Sequence, residues 1–440
     1  MPEAPEALRR ELRFWDLVFI NISAVAGVRW LATAAHAGPG SITLWLLATV
    51  TFFIPSALVV SALSERFPQE GGFYVWIKHA FGNWSAFLSA WFYFVSNILY
   101  FPAMLLAGVT IAGTVVGRED PVFAVPITCA ILWLLLFFNL LGLQVGKWPG
   151  VVGGASTYVT ALVLVGFAVF AARRFGSATE FHLVPQANWD NLGFWSQIAF
   201  AMTGLELGAI LGGEIQNPKR NIPRAAWISG AGVSSFYIAG TAAILVLLAP
   251  EQVSPVTGLA QAGQVAAGRL SMPWIAPAFA LLVVIGLAGQ LGSFIAGNTR
   301  LPYVIGLDSY LPPAFARLHP RWKTPYVSIL AQGVLATLFL LATQLGESLR
   351  SAYLILVDMD VIVLLIPFVF IFSTGFKFGQ RIAGALGAVI SAMAVGFSLI
   401  PPPDVRSVWI FELKVGGGCI LFALLGWLVF WRSQRRGLKQ

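Results

Sequence analysis

Long apolar runs, each about the length of one bilayer crossing, follow one another along the chain with little between them. A helix needs about 20 mostly apolar residues to cross the hydrocarbon core, and such runs fall at 14–36, 41–64, 84–117, 121–143, 148–172, 194–216, 224–249, 273–299, 326–345, 350–374, 379–400 and 408–431. They are continuous, without the polar–apolar alternation of a transmembrane barrel, so the pattern predicts an all-α polytopic membrane protein of about twelve helices. No interval between them is long enough for a separate soluble domain. The first run is of spanning length and carries internal polar and glycine features, so it reads as a retained span rather than a cleaved leader.

Composition agrees: 58% of the 440 residues are apolar and 10% are charged, which excludes an ordinary soluble domain. The net charge of +8 changes the picture only through its distribution. With the N-terminus inside, about nineteen cations fall in the inner segments and about seven in the outer ones, leaving Arg29 within the first run. The positive-inside rule then predicts a multi-pass protein of the cytoplasmic membrane, solvated by lipid, with both termini cytoplasmic. A nucleic-acid site needs a concentrated basic face; these cations follow the loops instead, and no nucleic-acid partner is expected. Cys129 and Cys419 lie within apolar runs and form no disulfide framework. His36, His79, His182 and His319 lack metal-ligand spacing, no G-x-S-x-G elbow occurs, and Gly142 to Lys147 is one residue short of a P-loop. Neither metal, cofactor nor enzymatic activity is expected.

Two runs are interrupted. The first contains Ser23-Ala24-Val25-Ala26-Gly27-Val28-Arg29, and the sixth contains Thr203-Gly204-Leu205-Glu206-Leu207-Gly208 followed by Gly212-Gly213-Glu214. If runs 1–5 and 6–10 are two repeats, the interruptions occupy corresponding positions, which points to a midplane substrate site in an inverted-repeat transporter. Breaking a helix there frees N–H and C=O groups where no water competes. A substrate carboxylate is expected at the N–H groups of Ala26, Gly27 and Val28, beside Val25, and an amine at carbonyls near Phe200, Ala201 and Thr203. The inner segments from Glu65 to Asn83 and from Arg300 to Pro325 are rich in Pro, Gly and charge, as amphipathic connectors or gates are.

The stretch from Gly204-Leu205-Glu206 through Gly213-Glu214-Ile215-Gln216-Asn217-Pro218-Lys219-Arg220-Asn221-Ile222-Pro223-Arg224-Ala225 resembles the sixth span and following loop of the amino acid–polyamine–organocation permeases. Arg66-Phe67-Pro68 with Gly71-Gly72-Phe73-Tyr74-Val75-Trp76 and Ala80-Phe81-Gly82 is similar to their first inner loop, and Leu311-Pro312, Phe315-Ala316-Arg317 and Lys323-Thr324-Pro325 to the segment after their eighth span. The resemblance covers nearly the whole chain. It implies a LeuT-like fold, with a five-plus-five inverted repeat, broken helices 1 and 6 and two peripheral helices. The chain then divides into an inner N-terminal segment (1–13), two repeats (14–172 and 194–374), the peripheral pair (379–431) and a tail (432–440).

The resemblance also implies roles for residues. Phe200 matches the aromatic that closes over substrate, and Ser96 and Asn97 match pocket-lining positions of the third span. The family's Gly-Ser-Gly-like triplet reads Val25-Ala26-Gly27 here, which keeps smallness and loses a hydroxyl. No lysine occurs between Trp148 and Ala172, and only Ser293 lies near Ile285-Gly286-Leu287-Ala288-Gly289, so neither coupling-ion signature is intact. Glu206, in the sixth-span break, is the candidate for proton coupling. Arg29, expensive inside a membrane, needs a compensating anion. Asp358 is the favoured partner and Asp360 the less favoured one, because two residues turn a helix by about 200°; an acidic substrate is the alternative. The combined reading is a secondary transporter of amino acids working by alternating access, proton-coupled or exchanging. A polyamine or amine permease and a transport-incompetent amino-acid sensor are the alternatives.

Overall fold

The apolar runs become helices that stop where the sequence supplies a reason. The computed structural model describes residues 10–118, 120–185, 189–255, 257–343, 349–400 and 408–437. In chain order the helices are α1 (Phe14–Val25), α2 (Arg29–His36), α3 (Ser41–Ala48), α4 (Ile54–Arg66), α5 (Phe73–Phe81), α6 (Asn83–Val116), α7 (Pro121–Leu140), α8 (Leu143–Phe175), α9 (Trp189–Ala201), α10 (Glu206–Ile210), α11 (Pro218–Leu247), α12 (Gly258–Leu270), α13 (Ile275–Asn298), α14 (Arg300–Leu307), α15 (Tyr326–Thr343), α16 (Leu349–Lys377), α17 (Arg381–Phe397) and α18 (Val408–Gly437). Among the described residues, nine helical segments are long and apolar enough to span a bilayer, and Tyr326–Ala342 and Arg381–Phe397 are shorter apolar helices. The broken pair α9–α10 completes the twelve expected spans.

Spans 1 and 6 are interrupted as the small-residue clusters predict. α1 ends at Val25, Ala26 to Val28 are non-helical and α2 resumes at Arg29; α9 ends at Ala201 and α10 starts at Glu206. Gly204 holds φ +123° between α9 and α10, and a Cβ there would press on Val25 Cγ2 at 3.0 Å, so glycine is required by conformation and by space. Span 2 contains a feature the pattern did not predict, a π-helical stretch at Thr49–Phe53 just before Pro55. Proline has no N–H for the helix ladder, and a local π turn absorbs the mismatch. Span 8 is longer than expected, continuing from α13 through Thr299 into α14.

The two repeats meet through small residues. α8 crosses α13 where Gly153 faces Gly289, and a Cβ on Gly289 would lie 2.2 Å from Gly153 Cα. This is the close backbone approach that membrane helices use when lipid offers no hydrophobic drive for association. α6, the third span, packs against α13 and α16 and is the most buried of the candidate spans, at 94% of its apolar window. Spans 1, 3, 6, 8 and 10 therefore surround one central region.

The face that carries both chain ends is sealed by polar contacts. Leu12 pairs in parallel with Ile215: its N–H donates to Glu214 O (3.0 Å), and Gln216 N–H donates to Leu12 O (2.9 Å). Arg300 Nε donates to Glu214 Oε1 at 2.8 Å, with both side chains buried. This pair explains the extra length of span 8, because a neutralised arginine need not end it. Gly71 N–H donates to Ile210 O at 3.1 Å. Gly72 holds φ +44° with the Ala209–Ile210 backbone 2.7 Å from where a Cβ would sit. The Gly71-Gly72 pair thus seats the segment between α4 and α5 under α10. Glu70 Oε2 accepts from Gly213 N–H (2.8 Å), and Lys78 bonds Asp308 (2.6 Å) to join α5 to the end of α14.

Glu70 is strained electrostatically. Burial, and then the neighbouring Glu214 carboxylate, push its pKa well above the usual carboxylate range, against the opposing pull of Arg300 and the Gly213 N–H. An acid whose folded pKa is raised binds more protons folded than unfolded, so stability falls as pH rises from the unfolded value through the folded one. Glu70→Gln, which mimics the protonated acid, should therefore melt close to wild type at pH 5 and higher than wild type at pH 8. Thermal unfolding in nanodiscs at the two pH values checks this.

Candidate functional site

The two breaks face each other across a small buried cavity of about 10 Å³, little more than the space of one water molecule. It is lined from span 1 by Ala24, Val25 and Trp30, from span 3 by Ser96, Asn97 and Tyr100, and from span 6 by Phe200, Ala201 and Thr203. Span 8 adds Gln290 and Phe294, and span 10 adds Asp360 and Leu364. Phe200 stands between two other aromatics, with its ring centroid 5.5 Å from Trp30 and 6.0 Å from Tyr100, and Tyr100 meets Phe294 edge-on at 5.3 Å. These rings form one wall of the cavity; polar side chains from spans 3, 8 and 10 form another.

The freed backbone groups are largely claimed by one residue. The Tyr237 hydroxyl, from span 7, accepts from Gly27 N–H at 3.0 Å and has one proton to share between Val25 O at 2.5 Å and Ala201 O at 3.0 Å. A single oxygen therefore ties the break in span 1 to the break in span 6. Its ring is held by stacking on Trp45 (centroids 4.1 Å apart, 6° between planes), and Trp45 Nε1–H is fixed in turn by Thr241 Oγ1 (3.0 Å). Gln290 Nε2 donates to Ala24 O at 2.7 Å, and Thr203 donates to Phe200 O from both its N–H (2.9 Å) and its hydroxyl (2.7 Å). At the start of α2, the helix bonds begin with Trp30 N–H to Gly27 O and Leu31 N–H to Val28 O. The Val28 and Arg29 N–H groups are thus at the positive end of the helix, the place an anion would be held.

Glu206 is fully buried outside the cavity lining. One carboxylate oxygen accepts from Tyr93 OH (2.8 Å) and the other from Gly204 N–H (2.9 Å), so the side chain braces the break in span 6 from behind. Arg29 is 1% exposed, with its guanidinium 4.0 Å from the Trp30 ring centre and 5.3 Å from that of Tyr100, in cation–π geometry. Its charge acts on Asp360, whose Oδ1 accepts the Ser96 hydroxyl at 2.5 Å. Asp358, the favoured partner of Arg29 by helix geometry, lies on α16 with its side chain outside the described ones; Asp360 is an acid that lines the cavity.

The structure thus brings together Val25, Ser96, Asn97, Phe200, Ala201 and Thr203. It leaves Ala26, Gly27 and Val28 in the span 1 break, Arg29 behind the aromatic wall and Glu206 behind the span 6 break. Tyr237 and Gln290 were not singled out from sequence; Tyr237 stands between Ser235 and Thr241, and Gln290 amid Gly286, Gly289 and Gly292.

Helices of spanning length with paired breaks around one central cavity form the architecture, and similarity to known proteins supplies the class. The family model described as "Amino acid permease" matches residues 12–409. The chain belongs to this family, and it is a transporter and not an enzyme. It is 27% identical to an uncharacterized transporter of Legionella pneumophila, over 96% of each protein. It is 23% identical to a probable agmatine/putrescine antiporter of Lactococcus lactis, over 91% of each. In three dimensions it resembles MhsT, crystallised with L-phenylalanine, with a TM-score of 0.64 at 13% identity, covering 96% of this chain and 99% of that one. That likeness shows a LeuT-like fold.

Tyr237→Phe keeps the ring and its stack while removing the one oxygen common to both breaks. Leaving a buried donor and acceptors unsatisfied costs about 1–3 kcal/mol, and unfolding of the variant in nanodiscs should show a loss of that size. Trp45→Phe, which removes the indole support but not the hydroxyl, should cost less than Tyr237→Phe.

Proposed function

We propose that the protein carries amino acids or amines across the cytoplasmic membrane, with both termini inside, by alternating access to the cavity between the two breaks. The observation that supports this most strongly is the meeting of residues from spans 1, 3, 6, 8 and 10 at one buried polar cavity. A substrate needs donors, acceptors and exclusion of water, and the cavity has the groups for all three. Of the donors expected for a carboxylate, Ala26 N–H is bonded to Ile22 O and Gly27 N–H to Val25 O and the Tyr237 hydroxyl, so the Val28 N–H would receive it. Agmatine and putrescine, named for the Lactococcus relative, bring amines without a carboxylate within the range.

The closed state described here is sealed toward the chain ends by Leu12, Glu214, Arg300 and Glu70. Opening that side requires these contacts to separate while the aromatic wall of Trp30, Tyr100 and Phe200 stays closed. Exchange of the two conditions is alternating access. Glu206 is the group we assign to proton coupling: a proton on this carboxylate would displace the donor held by one oxygen, either Tyr93 OH or Gly204 N–H, and so loosen the break.

Counterflow in proteoliposomes preloaded in turn with each common amino acid, agmatine or putrescine tests transport itself, since a sensor would bind without exchange. Phe200→Ala should raise leak and weaken substrate retention several-fold in the same vesicles, because the ring excludes water from the site. Unaltered retention would place Phe200 outside the gate.

A further inference from the structure

We propose that a second cavity, on the face that carries both chain ends, binds one anionic phospholipid, with the Arg317 guanidinium on its phosphate and an outward-facing stripe of α15 along an acyl chain. This goes beyond the transport reading and takes from it only the orientation, which makes the leaflet the cytoplasmic one, where anionic lipids lie.

The cavity measures about 340 Å³, far more than the central one. Tyr303 and Leu307 line it from α14, Arg317 and Leu318 from the loop that follows, and Tyr326 from the first residue of α15. One cation, two phenols and apolar walls suit an amphiphile at a membrane surface, where tyrosine rings sit at headgroup level and an arginine forks two N–H donors onto a phosphate. A free inorganic anion would gain nothing from the apolar walls.

The charge here has no internal counterpart. Arg317, Arg321 and Lys323 follow one another closely, and the sequence holds no Asp or Glu from Ser309 to Gly346. Asp308, the acid beside Leu307, is bonded to Lys78 at 2.6 Å and to the Tyr74 hydroxyl. Among the described residues Arg317 and Arg321 join no ion pair. The loop that presents them is folded on itself. His319 N–H donates to Thr324 O (2.8 Å) and Lys323 N–H to His319 O (2.9 Å), while the His319 ring stacks on Trp322 and meets Tyr326 edge-on. Thr324 Oγ1 donates to Leu140 O at 2.9 Å and ties the loop to the end of α7. A cation held in place this way binds without first ordering its loop.

Tyr326 also heads the stripe. Leu330, Val334, Leu338 and Leu341 follow it at helical spacing on one side of α15, each between 42% and 59% exposed. Exposed apolar side chains are ordinary on a membrane helix; the particular feature is that this stripe begins at the cavity that holds Arg317. From Tyr326 to Leu341 the helix rises about 22 Å, more than the roughly 15 Å that one leaflet gives to the hydrocarbon core. An acyl chain leaving the cavity along it therefore keeps apolar contact through its leaflet.

Native mass spectrometry of the full chain, released from an uncharged detergent, tests this by titration with dioleoylphosphatidylglycerol, dioleoylphosphatidylcholine or glycerophosphoglycerol, the headgroup of the first without its chains. One phosphatidylglycerol should be retained per chain. Phosphatidylcholine, whose trimethylammonium would meet the cations of the loop, should be retained far less, and glycerophosphoglycerol not at all. Arg317→Gln should weaken phosphatidylglycerol retention about fivefold or more, and Arg317→Lys should recover part of the loss. Arg317 is exposed, so its replacement leaves the packing intact; Arg220→Gln, which removes another exposed cation from the same face, should leave retention unchanged. Equal retention of the two lipids, or undiminished retention in Arg317→Gln, would overturn the proposal. So would an equal loss in Arg220→Gln, which would reduce the effect to general surface charge, or retention of the bare headgroup equal to that of the lipid, which would make the cavity a site for soluble anions. None of these readouts involves flux, so absence of counterflow would leave the lipid site standing and loss of the lipid site would leave the transport reading untouched.

Discussion

A helix broken in the middle of a bilayer exposes N–H and C=O groups where no water can satisfy them, and each one left unmade costs kilocalories. The rest of this structure depends on how that constraint is met. Tyr237 meets much of it with one hydroxyl that accepts from Gly27 and lies against Val25 and Ala201 carbonyls. Glu206 meets another part by receiving Gly204 N–H, and Gln290 covers Ala24 O. Because the same hydroxyl serves both breaks, the two cannot move independently without exposing a buried polar group. The satisfaction of backbone hydrogen bonds thus becomes a mechanical link between the repeats.

The charged groups are arranged by the same economy. Arg300 and Glu214 are buried as a pair at the face carrying the chain ends, Lys78 is matched with Asp308 and Lys147 with Asp16. Breaking a buried pair by removing one partner costs more than never having built it, so Arg300 and Glu214 hold that face together, while the two partly exposed pairs add less. Arg29 also meets aromatic rings. Its guanidinium lies against two aromatic faces, and these are rings of the cavity wall. Any change in that wall on substrate entry changes the surroundings of the arginine.

The gross architecture was legible in the sequence because lipid imposes one simple demand, about twenty apolar residues per crossing, and because the clusters at Ala26-Gly27 and Gly204 declare a break by their size alone. The cavity was legible in part: Ser96, Asn97, Phe200 and Thr203 sit where the family motifs implied. Tyr237 was not legible, since its partner Gly27 is 210 positions away and a tyrosine within a span has no local signature of what it touches. Gln290 and Ala24, 266 positions apart, escape notice for the same reason. The extension of span 8 into α14 was missed because Arg300 reads as an end signal until Glu214 is seen beside it. Asp360 was the less favoured acid by helical angle, and its place at the cavity shows only in its contact with Ser96.

The central claim is that one buried site between the two breaks is reached from opposite sides of the membrane in turn. Leu364, which lines the cavity with an apolar side chain, offers a direct probe as Leu364→Cys in a chain whose Cys129 and Cys419 have been replaced by alanine. In oriented proteoliposomes a membrane-impermeant thiol reagent should label this cysteine from either side, and a transported substrate should slow labelling from both. Labelling from one side only under every condition, or labelling indifferent to substrate, would contradict the account.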